Sequence, residues 1–322
     1  MVVKKSQRRN KPQGRNLDGI LLLDKPIGIT SNQALQQVKN LFAARKAGHT
    51  GSLDKMASGL LPICFGEATK FSGYLLEADK QYLTDCRLGI RTATGDALGD
   101  ILEEAPVPAY SISQVEDVLA KFRGETTQIP PMFSALKHQG KRLYELAYKG
   151  IEVERQPRRV VIHKLELISF DGVILRMAVH CSKGTYIRTL AEDIGKLLGC
   201  GAHVTMLRRT GAGPFREAGM HVLEKLQEVA VHGVEHLDSL LLPLDAALRD
   251  LPDLRLNALI AGYIRDGQAV MVPQAPISGM LRLYDETGGF IGVGEILDDG
   301  RVEPRRLVNR QGESSRHILR SF

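Results

Sequence analysis

Residues 158–184 contain two strands in direct succession, "RRVVIHKLELISF" and "VILRMAVHCSKG". In the second, Val173, Leu175, Met177, Val179 and Cys181 fall on one face at a period of two. Further strands are read at "LDGILLLDKP", ending at Pro26, at "LLPICFG", at "KQYLTDCRLG", where Tyr82, Thr84, Cys86 and Leu88 alternate, and at "AHVTMLRRTGAGPF". Helices are read between them. "GITSNQALQQVKNLFAAR" opens on a Thr30–Gln33 capping box and carries Ala34, Leu35, Val38, Leu41 and Phe42 on one face. "EATKFSGYLLEAD" reads as a short helix, a further one spans about 113–122 with a Ser113–Glu116 box, and "TYIRTLAEDIGKLLG" stops at Gly199. Strands interspersed with helices favour an α+β class over a doubly wound parallel sheet.

At 322 residues the chain has room for about two domains. After a helical stretch to about 250 the composition shifts. "GMLRLYDETGGFIGVGEIL" reads as a Gly-turned hairpin, so 251–322 is expected to be a small β-rich domain. The formal charge is +6, and residues 1–15 carry six Lys/Arg and no acid. Residues 1–16 therefore read as a disordered basic tail, and "PRRLVNRQGESSRHILRSF" is a second basic run. Two readings stay open for such ends: solvated charge, or attraction to the phosphates of a nucleic acid. Between 128 and 158, Pro, Gly, Lys and Arg are interleaved with aromatics, which suits an insertion lying against a polyanion.

No apolar run approaches a membrane span, and the N-terminus lacks the apolar region of a secretory signal. A cytoplasmic location is expected. Cys64, Cys86, Cys181 and Cys200 are widely spaced, with no metal-ligand pattern, and read as buried free thiols in a reducing compartment. His49 and Asp54 are too isolated to hold a metal. There is no phosphate-binding GxxxxGK[ST], no complete GxGxxG and no GxSxG elbow. Neither metal nor cofactor is expected. What remains is Asp54, in the Gly-punctuated loop "AGHTGSLDKMASGLLP". An Asp there is commonly a turn-former. A carboxylate can also serve an anomeric carbon, where breaking a glycosidic bond builds positive charge, and it then needs a cation nearby to stay ionised.

That stretch, extended to "GHTGSLDKMASGLLPICFGEATK", resembles the nucleophile motif of the bacterial tRNA pseudouridine-55 synthases, the TruB family. "LLLDKPIGITS", "DKQYLTDCRLGIRTATGDALG", "PPMFSALKHQGKRLYELA", "HCSKGTYIRTLAEDIG" and "GAHVTMLRR" match in the family's order, together spanning about 17–215. The resemblance implies a mixed, mainly antiparallel sheet with flanking helices in a catalytic domain at 17–250. It further implies an RNA-gripping thumb at about 128–158 and a PUA-like RNA-binding module at 251–322. It makes Asp54 the nucleophile, Arg188 its cationic partner and Tyr82 the group that removes the uracil C5 proton. His49, Tyr186 and Leu207 become substrate contacts, His49 beside the flipped nucleotide and the other two lining the uracil pocket. Lys25, in the "DKP" segment, becomes a second cation.

The implied reaction turns uridine 55 of the tRNA T-loop into pseudouridine, after the nucleotide is flipped out of its stack. It is redox-neutral and hydrolyses nothing. Asp54 either adds to C1′ or takes the C2′ proton, and both routes stay open. The implied partner is tRNA, with a monomer and no obligate protein partner expected. Two alternatives are a guide-RNA-dependent subunit and a tRNA-folding chaperone whose catalysis is secondary. The family motif commonly reads G-A-L-D-P-L-A-T-G, and Ser52, Lys55, Met56 and Ser58 depart from it here. Lys55 in place of a rigid Pro predicts a more flexible loop with intact chemistry.

Overall fold

The computed structural model describes residues 14–309. The basic runs at 1–13 and beyond Asn309 lie outside them. Arg15, expected within the unstructured tail, is held in place: its guanidinium donates to Asp238 at 2.9 Å and to the Phe42 carbonyl at 2.8 Å.

The fold is mixed α+β. A ten-stranded sheet runs in the order His221–Val222, Gly19–Lys25, Ser58–Phe65, Ala202–Ala212, Lys80–Leu88, Ile174–Cys181, Arg158–Phe170 and Gly124–Gln128, with Ala47–His49 and Phe215–Arg216 paired off this path. Two pairings are parallel, His221–Val222 on Gly19–Lys25 and Ala202–Ala212 on Ser58–Phe65, and the others are antiparallel. The unbroken "ILLL" has a physical reason. Leu21 and Leu23 enter one apolar cluster while Ile20 and Leu22 enter another, so this strand is covered on both faces. The larger cluster receives Ala34, Leu35 and Val38 from the Ser31–Leu41 helix, and Ile187, Leu190 and Ile194 from the Ile187–Leu198 helix.

Several local expectations are met. The Thr30–Gln33 box is present, Gly199 ends its helix at φ +86°, and Leu175, Met177, Val179 and Cys181 are all buried. All four cysteines are free and buried. Three details differ. The third helix starts earlier, at Ile112, and its capping box is Ser111–Gln114, because Ser111 holds the extended backbone a cap needs and Ser113 is already helical. Val173 lies in the turn before its strand and is 39% exposed. Only 50–57 of the Asp54 stretch is loop, since Ala47–His49 pairs antiparallel with Ile63–Phe65.

The basic insertion is not wholly polar. It folds a small hairpin, Lys137–His138 on Lys141–Arg142, with Gln139 and Gly140 both at positive φ, followed by the Leu143–Ala147 helix. Leu143 and Leu146 are buried beneath its charges. Beyond residue 250, a separate five-stranded sheet runs Asp253–Leu256, Gly279–Asp285, Phe290–Ile296, Arg301–Leu307 and Val270–Met271. Its own apolar cluster includes Leu256, Ile264, Leu281, Leu283 and Val302.

Candidate active site

The loop carrying Asp54 is pinned on both sides of that residue. Ser31, at the start of its helix and 3% exposed, accepts from the Leu53 amide at 2.7 Å and donates to the Leu53 carbonyl at 3.1 Å. The Gly28 amide donates to the Lys55 carbonyl at 2.7 Å, and the Ala57 amide to the Asp54 carbonyl at 3.1 Å. Lys55 itself points to solvent. The replaced Pro thus leaves a loop still tied through its backbone.

The Ile187–Leu198 helix brings Arg188 to this loop. The guanidinium is buried, and its Nε lies 2.9 Å from Asp54 Oδ2. Nη1 donates to the Thr94 carbonyl at 2.6 Å and Nη2 to the Phe133 carbonyl at 2.7 Å, which fixes the planar fork. Asp96 stands 3.9 Å from the same Nε. It is 5% exposed and is held by the Thr94 hydroxyl at 2.6 Å and the Leu98 amide at 3.0 Å. The Asp54 side chain keeps 43% of its surface open to water. Protein still crowds it, and this desolvation raises its pKa above the usual aspartate value. Arg188 and Lys25 work against that rise, and Asp96 adds to it.

Lys25 is fully buried and donates to the Pro26 and Ile29 carbonyls at 2.9 and 2.8 Å. Burial brings its pKa down to about 8, partly offset by Asp54 and deepened by Arg209. Tyr82 sits on the Lys80–Leu88 strand opposite Arg209 of Ala202–Ala212. Burial raises the phenol's pKa, and the Arg209 charge works against that rise. Leu207, 6% exposed, opposes Thr84 two residues along and belongs to the larger apolar cluster. Tyr186 caps the Arg188 helix with its backbone. Gln128 grips it from both sides, its Oε1 accepting from the Tyr186 amide at 3.0 Å and its Nε2 donating to the carbonyl at 3.3 Å. His49 is half-buried, and its Nδ1 has no hydrogen-bond partner. Burial first, then the Arg209 charge, lowers its pKa and keeps the ring neutral.

The folded chain therefore gathers Asp54, Arg188, Lys25 and Tyr82 within electrostatic reach, with the Tyr186 phenol also feeling Asp54. Sequence reasoning missed Asp96, Gln128 and Arg209. Asp96 lies in "TGDALG" and Arg209 in "MLRR", both inside quoted matching blocks, but nothing in their spacing announces that those charges are buried. Among the described residues no group of three or more His, Cys, Asp or Glu side chains is arranged to hold a metal ion. No helix among them is long and apolar enough to cross a membrane.

Comparison with known proteins defines the class. The large sheet and its helices superpose on chains from a Cbf5–Nop10–Gar1 complex, with TM-score 0.71 at 24% identity over 95% of this chain and 92% of that one. An archaeal box H/ACA sRNP Nop10–Cbf5 complex gives 0.68 at 21%, over 95% and 94%. These likenesses concern the fold. In sequence, residues 39–187 match the N-terminal domain of TruB family pseudouridylate synthases, 188–249 the tRNA pseudouridylate synthase B C-terminal domain, and 252–308 the C-terminal model of pseudouridine synthase II TruB. The class is that of the pseudouridine synthases, which are isomerases. Proteins named tRNA pseudouridine synthase B from Nitrosococcus oceani and Tolumonas auensis are 56% and 54% identical over 95% of this chain, covering 99% and 97% of their own lengths. The chain belongs to the TruB family.

Proposed function

We propose that this protein isomerises uridine 55 in the T-loop of tRNA to pseudouridine, with Asp54 as nucleophile. The observation that carries the reading is the Asp54–Arg188 ion pair at 2.9 Å, in a loop pinned by Ser31 and Gly28. The guanidinium favours the ionised carboxylate that burial opposes, and it fixes which oxygen faces the sugar. Asp54 either attacks C1′ or takes the C2′ proton as the N1–C1′ bond breaks. The freed uracil then turns in the pocket and joins C1′ through C5. On the first route this displaces the Asp54 carboxylate with its electron pair, and on the second Asp54 returns its proton to C2′. Tyr82 accepts the C5 proton, its electron pair returns to the ring, and N1 gains a proton from solvent. Atoms and electrons balance without a cofactor.

Tyr186 and Leu207 wall the uracil, and neutral His49 packs by the flipped nucleotide. Lys25 adds positive charge behind Asp54. The thumb at 128–158, with Tyr148 78% exposed among its lysines and arginines, grips the RNA, and 251–322 contacts the rest of the tRNA. The flip costs a few kcal/mol, which these contacts offset. The enzyme acts in the cytoplasm as a monomer on free tRNA, and the same basic surface serves a tRNA-folding role.

The test uses unmodified tRNA tritiated at uracil C5. Wild-type protein alone should release tritium, and Asp54→Asn should bind the tRNA without releasing any. No release by wild type, or equal release by the variant, would overturn the proposal.

A further inference from the structure

Gln128 ends its strand at a buried position, 3% exposed, where an amide has to find its partners inside the protein. Both partners lie on one residue of another element. Its Oε1 accepts from the Tyr186 amide at 3.0 Å, and its Nε2 donates to the Tyr186 carbonyl at 3.3 Å. Tyr186 opens the helix that carries Arg188 and gives it no side-chain cap. The Gln128 amide therefore stands in for a strand neighbour and fixes the backbone just before Arg188. Further along the same segment, the Phe133 carbonyl accepts from Arg188 Nη2 at 2.7 Å. One short segment thus holds the arginine twice, by the start of its helix and by the tip of its side chain.

The segment between these anchors is stiff. "QIPPMF" carries Pro130 and Pro131 in succession. Each fixes its own φ, and each keeps the residue before it out of the helical region. Gln128 stands opposite Arg158 on the antiparallel rung where the thumb leaves and rejoins the sheet. Beyond Phe133, the Tyr144 amide donates to the Ser134 carbonyl at 3.1 Å, and the Phe133 ring packs edge to face on Tyr148 at 5.5 Å. We infer that residues 128–133 form a brace between the root of the thumb and the active site, with Gln128 as a positioning residue that sets Arg188 against Asp54. This rests on the reading of Asp54 as the nucleophile and Arg188 as its partner. Arg188 Nε reaches Asp54 at 2.9 Å only while the helix start and the guanidinium tip keep their places. Their displacement weakens the ion pair that favours the charged carboxylate against the burial that opposes it.

Single-turnover tritium release at saturating enzyme is measured from acid to neutral pH for wild type, Gln128→Met and Pro131→Gly. Met is close to Gln in length and carries neither charge nor amide, so it removes the clamp and leaves the strand. Release by Gln128→Met at neutral pH should slow ~30-fold, below the ~100-fold that a misplacement of about 1 Å can cost. Its tRNA Kd should stay within about threefold, since a buried side chain offers the RNA no base or phosphate contact. The acid limb should move to higher pH, because a displaced Arg188 opposes protonation of Asp54 less. Lys25 and Asp96, the other charged groups acting on Asp54, are left unchanged. Pro131→Gly removes no hydrogen-bond donor or acceptor, and should shift rate and acid limb in the same directions by smaller factors.

If folded Gln128→Met is slow but keeps the wild-type acid limb, Gln128 only supports the fold and the inference fails. It fails equally if that variant, or folded Pro131→Gly, matches wild type in both rate and limb. If Gln128→Met does not fold by circular dichroism, Pro131→Gly decides by the same two readouts. Release by Asp54→Asn at the wild-type rate would instead overturn the reading of the site on which the brace rests.

Discussion

The two sheets manage charge in opposite ways. Every buried polar or charged side chain among the described residues lies before residue 210, including Lys25, Lys80, Asp96, Arg188, His203 and Arg209. The five-stranded sheet has none. Its charges pair at the surface, as in Arg305 with Glu295 at 2.6 Å and Arg301 with Asp299 at 2.7 Å. A small domain is stabilised most simply by an apolar core, since buried ions carry a desolvation cost. The large sheet bears that cost repeatedly and near one loop, which is where chemistry needs oriented charge.

The largest expected effect lies at the loop. Asp54→Asn should abolish isomerisation while leaving the protein at least as stable as wild type. The sign follows from the raised pKa: between the ordinary aspartate value and the raised one, the folded state holds more protons than the unfolded state. Stability therefore falls as pH rises through that window, and the uncharged amide removes the loss. Urea unfolding at neutral pH beside a tritium-release assay checks both halves, and an active or clearly destabilised variant would break the contrast. By the same shift, the acid limb of the wild-type rate should lie above the usual aspartate range. Measuring single-turnover rates from acid to neutral pH locates it.

In the five-stranded sheet the corresponding loss should be one of packing. Leu283→Ala, at a fully buried site, should cost about 2–5 kcal/mol of unfolding free energy. Isomerisation of tRNA at saturating concentration should persist below the melting temperature. Loss of kcat in a folded variant would show that the two sheets are coupled in catalysis.

A finer distinction is available from Lys80. Its ammonium donates to the Leu76 and Ala78 carbonyls at 2.7 and 2.6 Å, and burial brings its pKa down to about 8. Between about 8 and the ordinary lysine value of 10.5 the unfolded chain holds the extra proton, so this residue makes stability rise with pH over that interval. Lys80→Met should flatten that slope in chemical unfolding across the range. The smallest effect belongs to the surface. Arg305→Ala should change stability by no more than about 1 kcal/mol, and differential scanning calorimetry at two salt concentrations checks it.

The contrast also explains what the sequence disclosed. Periodicity revealed the strands, and the Thr30 box and Gly199 marked helix ends, because each is a local constraint. The Ser111 cap was displaced by two residues because "SISQVED" offers two serines with a suitable partner three residues on. Asp54 and Arg188 stood out through ordered motif matches, and no property of either residue alone would have paired them. Arg209 and Asp96 stayed hidden because burial of a charge is decided by strands far apart in the chain. Arg209 needs Gly51, Leu60 and Tyr82 around it, and a one-dimensional reading sees only one arginine after another.

The strand Gly19–Lys25, apolar on both faces, has a consequence for synthesis. Its neighbours on the two sides are Ser58–Phe65 and His221–Val222. The first leaves the ribosome early and the second only after most of the sheet, at a pace of about 5–20 residues each second. Throughout that interval one edge of the nascent "ILLL" waits for its partner, and Asp54 waits for Arg188. A chain stalled before residue 188 would hold Asp54 without its cation and an apolar strand without its final border, a form suited to chaperone capture and not to turnover.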